Sequence, residues 1–300
     1  MKNPKIKTRF FGFFRLSAVA ATLVFAFSLF IAAPAPAKNG ENQAEAVDDN
    51  AQGKTQSIRA RWGNPARRGE IDQVVLPPAV NKAYFVSPAA EGEEDGSESR
   101  PWKNVSKAFR SLGPGDRLVL MPGTYGPIMV GQGCADGQTD MPIEVLARVN
   151  AVITGKDETP SVEVRKAHWH FYGLEISPGK ARGAAFMTYG TGARHILLDR
   201  SHLHDGLGDG VVVGPHSRDI TIANSHIHRF GHPDKAPDAY GIRILPGVRD
   251  IRITGNKIHT NFAGPYTVVG PERHPGDREG NPLDAADGIV FKDNKMKKNW

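Results

Sequence analysis

Four segments of this chain superpose without gaps: Trp169 to Ser177, Ile196 to His204, Ile220 to His228 and Ile251 to His259. Successive offsets are 27, 24 and 31 residues. Trp169/Ile196/Ile220/Ile251, Phe171/Leu198/Ile222/Ile253 and Ile176/Leu203/Ile227/Ile258 take equivalent places, and the residues between them are mostly polar. Alternation with a period of two is strand periodicity. A unit this small cannot bury its apolar face alone, so successive units must stack and share one interior. The repeat therefore commits the chain to a solenoid of coils. A further strand is expected after a turn glycine in each coil, at Gly183-Ala184-Ala185-Phe186, Gly210-Val211-Val212-Val213, Gly241-Ile242-Arg243-Ile244 and Gly288-Ile289-Val290-Phe291.

Upstream, Ala83 to Ser87 alternates like a strand and an acidic loop follows from Glu91 to Ser99. Trp102, Val105, Phe109 and Leu112 then recur at helical spacing and predict one short amphipathic helix. Gly113-Pro114-Gly115-Asp116 and Pro122-Gly123-Thr124-Tyr125 are turns around Arg117-Leu118-Val119-Leu120. The run Tyr84-Phe85-Val86-Ser87-Pro88, then Arg100-Pro101-Trp102-Lys103-Asn104-Val105, then Gly113 to Tyr125 resembles the start of right-handed parallel β-helix proteins of the pectate-lyase-like superfamily. That resemblance covers residues 83–125. It implies an all-β, right-handed parallel β-helix with a short N-terminal capping helix. The superfamily holds lyases, epimerases, hydrolases and proteins without known activity, so architecture alone does not select a chemistry.

Residues 1–37 carry Lys2, Lys5, Lys7, Arg9 and Arg15, an apolar run from Leu16 to Ala33, and Ala35-Pro36-Ala37. This is the layout of a secretory signal peptide, and it predicts a periplasmic or secreted product. An uncleaved anchor is the rival reading, because an 18-residue apolar stretch is at the lower limit for a bilayer core of about 30 Å. The segment holds five of the 38 Lys and Arg and none of the 32 acids, so 33 bases against 32 acids remain and the net charge falls to +1. No basic footprint for nucleic acid survives, and no membrane association is expected after cleavage. Residues 38–80 are polar and poor in aromatics, which predicts a disordered linker. Residues 81–300 are left as the β-helix domain, held by packing, since Cys134 is the only cysteine. Trp300 follows Phe291 by nine residues, so the last coil reads as incomplete, and a partner or further residues are expected over that end.

All 11 histidines lie between residues 168 and 274. With Leu203, Ile227 and Ile258 pointing inward, their neighbours share the outer face. One outer column reads Glu175, His202, His226, Lys257; the other reads Ser177, His204, His228, His259. Coils about 4.8 Å apart and columns about 7 Å apart along the strand would make a grid of imidazoles. Crowded imidazolium ions repel, which favours neutral rings able to act as base or metal ligand. A plainly solvated solenoid ladder would show the same pattern.

From the second-column histidine to the next turn glycine the chain runs 6, 13 and 29 residues, at His204–Gly210, His228–Gly241 and His259–Gly288. Lengthening loops at one corner build a wall beside one face, which in repeat proteins is often the binding face. These loops carry Arg229, His232, Asp234, Lys235 and Asp238, then Arg273, His274 and Asp277.

A shallow polar groove with charged walls fits an acidic polysaccharide better than a small apolar ligand. Lyase or C5-epimerase action on a uronic-acid polymer needs a base for the proton beside the carboxylate and a cation for the developing enolate. The catalytic candidates are His204, His228 and His259 with Lys257, Arg229 and Arg243. His202, His226, His232, Asp205, Asp238, Arg273 and His274 are candidates for substrate binding. Alginate epimerases of this fold resemble the chain around Asp238-Ala239-Tyr240-Gly241-Ile242-Arg243, but where they carry Asp-Pro-His-Asp this chain has Arg243-Ile244-Leu245-Pro246. A hydrolase would need two carboxyls about 5–9.5 Å apart, for which Asp205 and Asp209 are the pair at hand. Arg194, Arg218 and Arg249 form another column, expected to pair with the adjacent Asp219 and Asp250. No cofactor is required by these readings; calcium is left open from the loop acids, without a ligand ladder to specify it. The class that competes with an enzyme is a non-catalytic glycan-binding or surface β-helix protein.

Overall fold

A computed structural model describes residues 81–269 and 286–297. The segments read as an export signal and a linker, together with Arg273 and His274, lie outside the described residues. The described chain is an all-β parallel β-helix whose strands form an eight-stranded, a seven-stranded and a six-stranded sheet. Each coil contributes one strand to each in turn. Arg194–Asp199, His202–Gly206 and Val211–Val213 make one coil, and Arg218–Ala223, His226–Phe230 and Tyr240–Ile244 make the next.

Parallel ladders carry the repeat register that the sequence predicts. Ile196 lies opposite Ile220 and Ile220 opposite Ile251, while Leu203, Ile227 and Ile258 align in the neighbouring sheet. The resulting interior columns run far beyond the four repeats. Leu118, Val145, Phe171, Leu198, Ile222, Ile253 and Phe291 are consecutive partners in the first sheet. Branched aliphatics dominate because a β-branched side chain fits a pleated surface buried on its inner face. The predicted helix is Val105–Ser111, started by Asn104, whose side chain accepts from the Lys107 N–H at 2.9 Å. Phe109 from that helix stacks on Trp169 with ring centroids 5.7 Å apart, so the helix closes over the apolar interior. Trp102 precedes it and stacks on Tyr84 at 4.7 Å.

Three readings of the sequence are corrected. Gly288 to Phe291 does not belong to the third strand of its coil. Asp287–Lys292 is the first strand of the next coil, with Ile289 opposite Ile251 and Phe291 opposite Ile253. The strand that pairs with Tyr240–Ile244 is Gly264–Val268. The interval of 29 residues therefore contains a whole strand, and the longest insertion at the histidine corner among the described residues is the loop before Tyr240. At the corner that leads back to the first sheet, the two preceding coils use four residues, 214–217 and 245–248. The second correction concerns Gly183, which is not opposite Gly210. Phe186 lies opposite Val211, so the register is displaced by two residues. A slip of two preserves which side chains face inward, so the core was read correctly despite it. The third concerns the arginine column: Arg194, Arg218 and Arg249 align as expected but make no ion pair among the described residues. Asp219 instead contacts His195 Nδ1 and accepts from Arg252 Nη1 at 2.8 Å.

The turn between first and second strands is held by an internal polar ladder. Arg200, Asn224 and Asp293 take φ of 49°, 49° and 55°, with Gly173 and Gly255 at 62° and 67°. This left-handed residue turns the next backbone N–H toward the neighbouring coil. There Ser201 N–H donates to Ser225 Oγ (3.1 Å), Ser225 N–H to Asn256 Oδ1 (2.9 Å) and Asn256 N–H to Asn294 Oδ1 (2.9 Å). Buried backbone donors at a corner must find such partners, and the ladder supplies them coil by coil.

Candidate active face

The seven-stranded sheet carries the imidazole grid on its outer surface. His202 lies opposite His226 and Glu175, and His226 opposite Lys257; His204, His228 and His259 form the second column. Both columns are as the repeat predicts. The rings are closer along the strand than the backbone spacing implies, because they lean together: His202–His204 and His226–His228 centroids are each 4.1 Å apart, stacked within 28°. Between coils the second column stacks at 5.7 Å (His204–His228) and 5.3 Å (His228–His259), both at 15°.

Hydrogen bonds run diagonally across this grid. His202 Nε2 is 2.8 Å from His228 Nε2, and His226 Nε2 is 2.8 Å from His259 Nε2, so each pair joins the first column of one coil to the second column of the next. His204 differs. Its Nδ1 is 2.6 Å from Asp205 Oδ2, and its Nε2 lies 3.5 Å from Glu175 Oε1, an ion-pair separation. Asp205 in turn accepts a two-pronged contact from Arg229, Nε to Oδ1 at 2.5 Å and Nη2 to Oδ2 at 2.6 Å. Asp205, Arg229 and Thr260 each follow a second-column histidine with φ of 58°, 61° and 57°. That left-handed turn ends the flat face and swings the Asp205–Arg229 pair to its edge, at a conformational cost of roughly 1–2 kcal/mol per residue.

Charge follows from this geometry. Burial, then the neighbouring His226, His202, Arg229 and His204, push His228 down to about 2. Burial and His204 lower His202 to about 4, although Glu175 and Asp205 oppose the shift. Both rings are neutral at physiological pH. Burial also acts against the His204 cation, but the carboxylates of Glu175 and Asp205 on its two sides outweigh it and raise its pKa. The Arg229 fork is the largest cause holding Asp205 below the ordinary carboxylate range.

These facts redistribute the sequence candidates. His228 is only 5% exposed and its pKa is held low, chiefly by burial, which makes it a weak proton acceptor. His204 has its two nitrogens directed at carboxylates, which favour its protonated form, and is better described as a strut between them. Arg243 is on the six-stranded sheet, where it forks onto Asp209 (2.6 and 3.1 Å), donates to the Asp238 carbonyl and lies over the Tyr240 ring. It is thus committed to holding the loop before Tyr240. His232 is held within that loop, where its Nδ1 accepts from the Asp234 N–H at 3.2 Å. Asp209 accepts from Arg243 and from the Tyr240 N–H, and Asp205 from Arg229, so neither half of the hydrolase pair is a free acid. Lys257 continues the first column at half-buried depth and makes no ion pair among the described residues. Lys295 and Lys297, opposite Lys257 and His259, extend the same face and were not singled out in the sequence. Their signal was the continuation of the repeat into Lys295-Met296-Lys297, hidden by the misplaced strand before it.

The fold is a parallel β-helix with a distant likeness to pectate lyases. Pectate lyase L of Dickeya dadantii (strain 3937) is 24% identical over 172 residues, spanning 52% of this chain and 39% of that protein. No family model matches. Among solved structures, pectate lyase Pel9A shares 24% identity over 60% of this chain and 48% of its own, with a TM-score of 0.45. A rhamnogalacturonan lyase shares 15% over 71% and 62%, with a TM-score of 0.47. An alginate lyase from Paenibacillus sp. str. FPU-7 shares 20% over 71% and 75%, with a TM-score of 0.41. The chain spans less than half the length of the pectate lyases it matches. No helix among the described residues is long and apolar enough to cross a membrane.

Proposed function

We propose that this protein is an exported polysaccharide lyase that cleaves a uronic-acid polymer laid across the outer face of the seven-stranded sheet. The observation that carries the reading is the placement of cations there: Lys257, Lys295 and Lys297 follow the imidazole columns, and Arg229 stands at the edge with Nη1 outside its Asp205 contact. A flat polar floor with cations at successive coils suits a repeating anionic ligand. Likeness to pectate lyase L over half of this chain supports the same substrate class.

β-Elimination from a uronate requires a base to take the C5 proton and a cation on the carboxylate as its charge grows; the C4–O bond breaks as the C4=C5 bond forms, and the departing oxygen takes a proton from solvent. Lys257 is assigned to the proton and Arg229 to the carboxylate. Neither duty falls to the buried imidazoles, which form the floor. Export rests on residues 1–37 and is tested by cell fractionation with N-terminal sequencing; recovery outside the cytoplasm with a start near Lys38 is expected, retention in the cytoplasm overturns export, and an intact Met1 on exported protein overturns cleavage.

Incubation of the purified protein with polygalacturonate, alginate and glycosaminoglycans, followed by ultraviolet absorbance and NMR, tests the reaction. Unsaturated sugar ends are expected from one polymer class. Inversion at C5 without cleavage would make the protein an epimerase, and retention on a polymer without either product would make it a binding protein; both contradict the proposal.

A further inference from the structure

We propose that His202, His226 and His228 form a binding site for one divalent transition-metal ion of the zinc class. The inference is independent of any polysaccharide.

One ring nitrogen from each of these three residues lies within 4.8 Å of the other two. His202 and His226 are half-buried, and His228 is buried. The three come from two adjacent strands: His202 from His202–Gly206, His226 and His228 from His226–Phe230. Because the strands are in fixed parallel register, the donors are held by the sheet itself and by ring stacking at 4.1–5.3 Å. A tetrahedral ion about 2.0–2.1 Å from each nitrogen places its ligands roughly 3.3 Å apart. His202 Nε2 and His228 Nε2, 2.8 Å apart, stand slightly inside that separation, and small side-chain rotations open them to it. Three protein nitrogens leave a fourth position for water or a further ligand.

Donor chemistry selects the ion. Neutral imidazoles suit zinc, copper, nickel and cobalt, whereas calcium takes six to eight oxygens. The described residues offer a second trio, Glu175, His202 and His204, but two members of it are already engaged with one another and with Asp205. His202 belongs to both trios, so the two cannot be filled at once. The all-imidazole trio has no carboxylate among its own donors, so its ligands are uniform in kind. His259 reaches His226 Nε2 at 2.8 Å and is placed to become a fourth ligand or to be displaced by the ion.

The rings also admit a simpler arrangement, in which each diagonal pair shares one proton and no metal binds. The two are separable by titration. Chelator-treated full-length protein is dialysed against Zn²⁺, and bound metal is counted by elemental analysis; Co²⁺ serves as the optical probe of coordination. The expected result is one Zn²⁺ per chain, with tetrahedral Co²⁺ bands, unaffected by excess Ca²⁺. His202→Ala and His226→Ala weaken binding at least tenfold, while the exposed-histidine control His216→Ala leaves it unchanged. Equal binding by all variants, displacement by Ca²⁺, or no Zn²⁺ retained overturns the proposal. Should the alanine variants fail to fold, ¹⁵N spectra of the wild-type imidazoles decide: Zn²⁺ must shift the signals of His202, His226 and His228 and spare His216. Zinc binding without uronate cleavage would refute the lyase and leave this site standing; cleavage with no retained zinc would do the reverse.

Discussion

His202 and His228 face each other diagonally across two coils, Nε2 to Nε2 at 2.8 Å, and both are neutral at physiological pH. Their folded pKa values, about 4 and about 2, lie below the ordinary 6.5. His170, lowered to about 4 chiefly by burial, behaves alike. Between those values and 6.5 the unfolded chain binds protons that the folded chain refuses, so stability rises with pH there and is lost as pH falls. His204 has the opposite sign, since its raised pKa adds stability below the ordinary value, but it is outnumbered. Denaturant unfolding at several pH values should show stability falling as pH drops below 6.5, by at most about 1 kcal/mol per pH unit for the buried His228 and by less for the half-buried His202 and His170. A flat profile from pH 7.5 to 5 contradicts the buried grid.

Asp205 accepts from Arg229 while its neighbour His204 points at the same carboxylate. The Arg229 and Asp205 side chains are 52% and 44% exposed, so their pairing contributes no more than about 1 kcal/mol to stability. Asp205→Asn should therefore change the melting temperature little but lower the His204 pKa, which histidine NMR titration reads directly. A large loss of stability with no change at His204 is the contrary outcome.

Asn256 is 1% exposed and joins three coils: it accepts from Ser225 N–H and donates through Nδ2 to the Ile222 carbonyl (2.8 Å) and to Asn294 Oδ1 (3.0 Å). Asn256→Ala leaves a buried donor and a buried acceptor without partners, a cost of about 2–4 kcal/mol. Chemical denaturation measures it. Ser217→Ala, whose buried hydroxyl has no hydrogen-bond partner among the described residues, should cost far less.

A Cβ on Gly210 would meet the Gly241 carbonyl oxygen at 2.5 Å and Ile227 Cγ2 at 2.6 Å. Gly210→Ala must push two coils apart and should cost about 1–3 kcal/mol. Gly126→Ala meets nothing within 4 Å and should be nearly neutral. Equal thermal shifts for the two would contradict the packing between coils.

The solenoid was legible because its inward residues repeat in a period that only stacking satisfies, and Leu203, Ile227 and Ile258 set the imidazoles in register without any coordinates. The coil after His259 was misread for a physical reason. Its third strand, Gly264–Val268, carries Pro265, which reads as a strand breaker, and Tyr266 stands where the preceding coil has Ile242. Gly288 to Phe291 has that pattern and drew the assignment. The division of labour within the face was not legible. Whether an outward histidine is a base, a strut or a neutral floor tile depends on which carboxylate it meets, and Asp205 reaches His204 only because a left-handed residue turns it there. The Ser201–Ser225–Asn256–Asn294 ladder left a usable trace, a small polar residue after each left-handed position, but it resembles ordinary turn composition.

The rate of appearance of unsaturated ends from the preferred uronate polymer, compared among wild type, Lys257→Ala and Arg229→Ala, bears most directly on the proposed active face. Loss of about 100-fold or more in both variants, with circular dichroism and melting unchanged, is the predicted result. Full activity in both, with the fold intact, would show that the chemistry lies elsewhere on the solenoid.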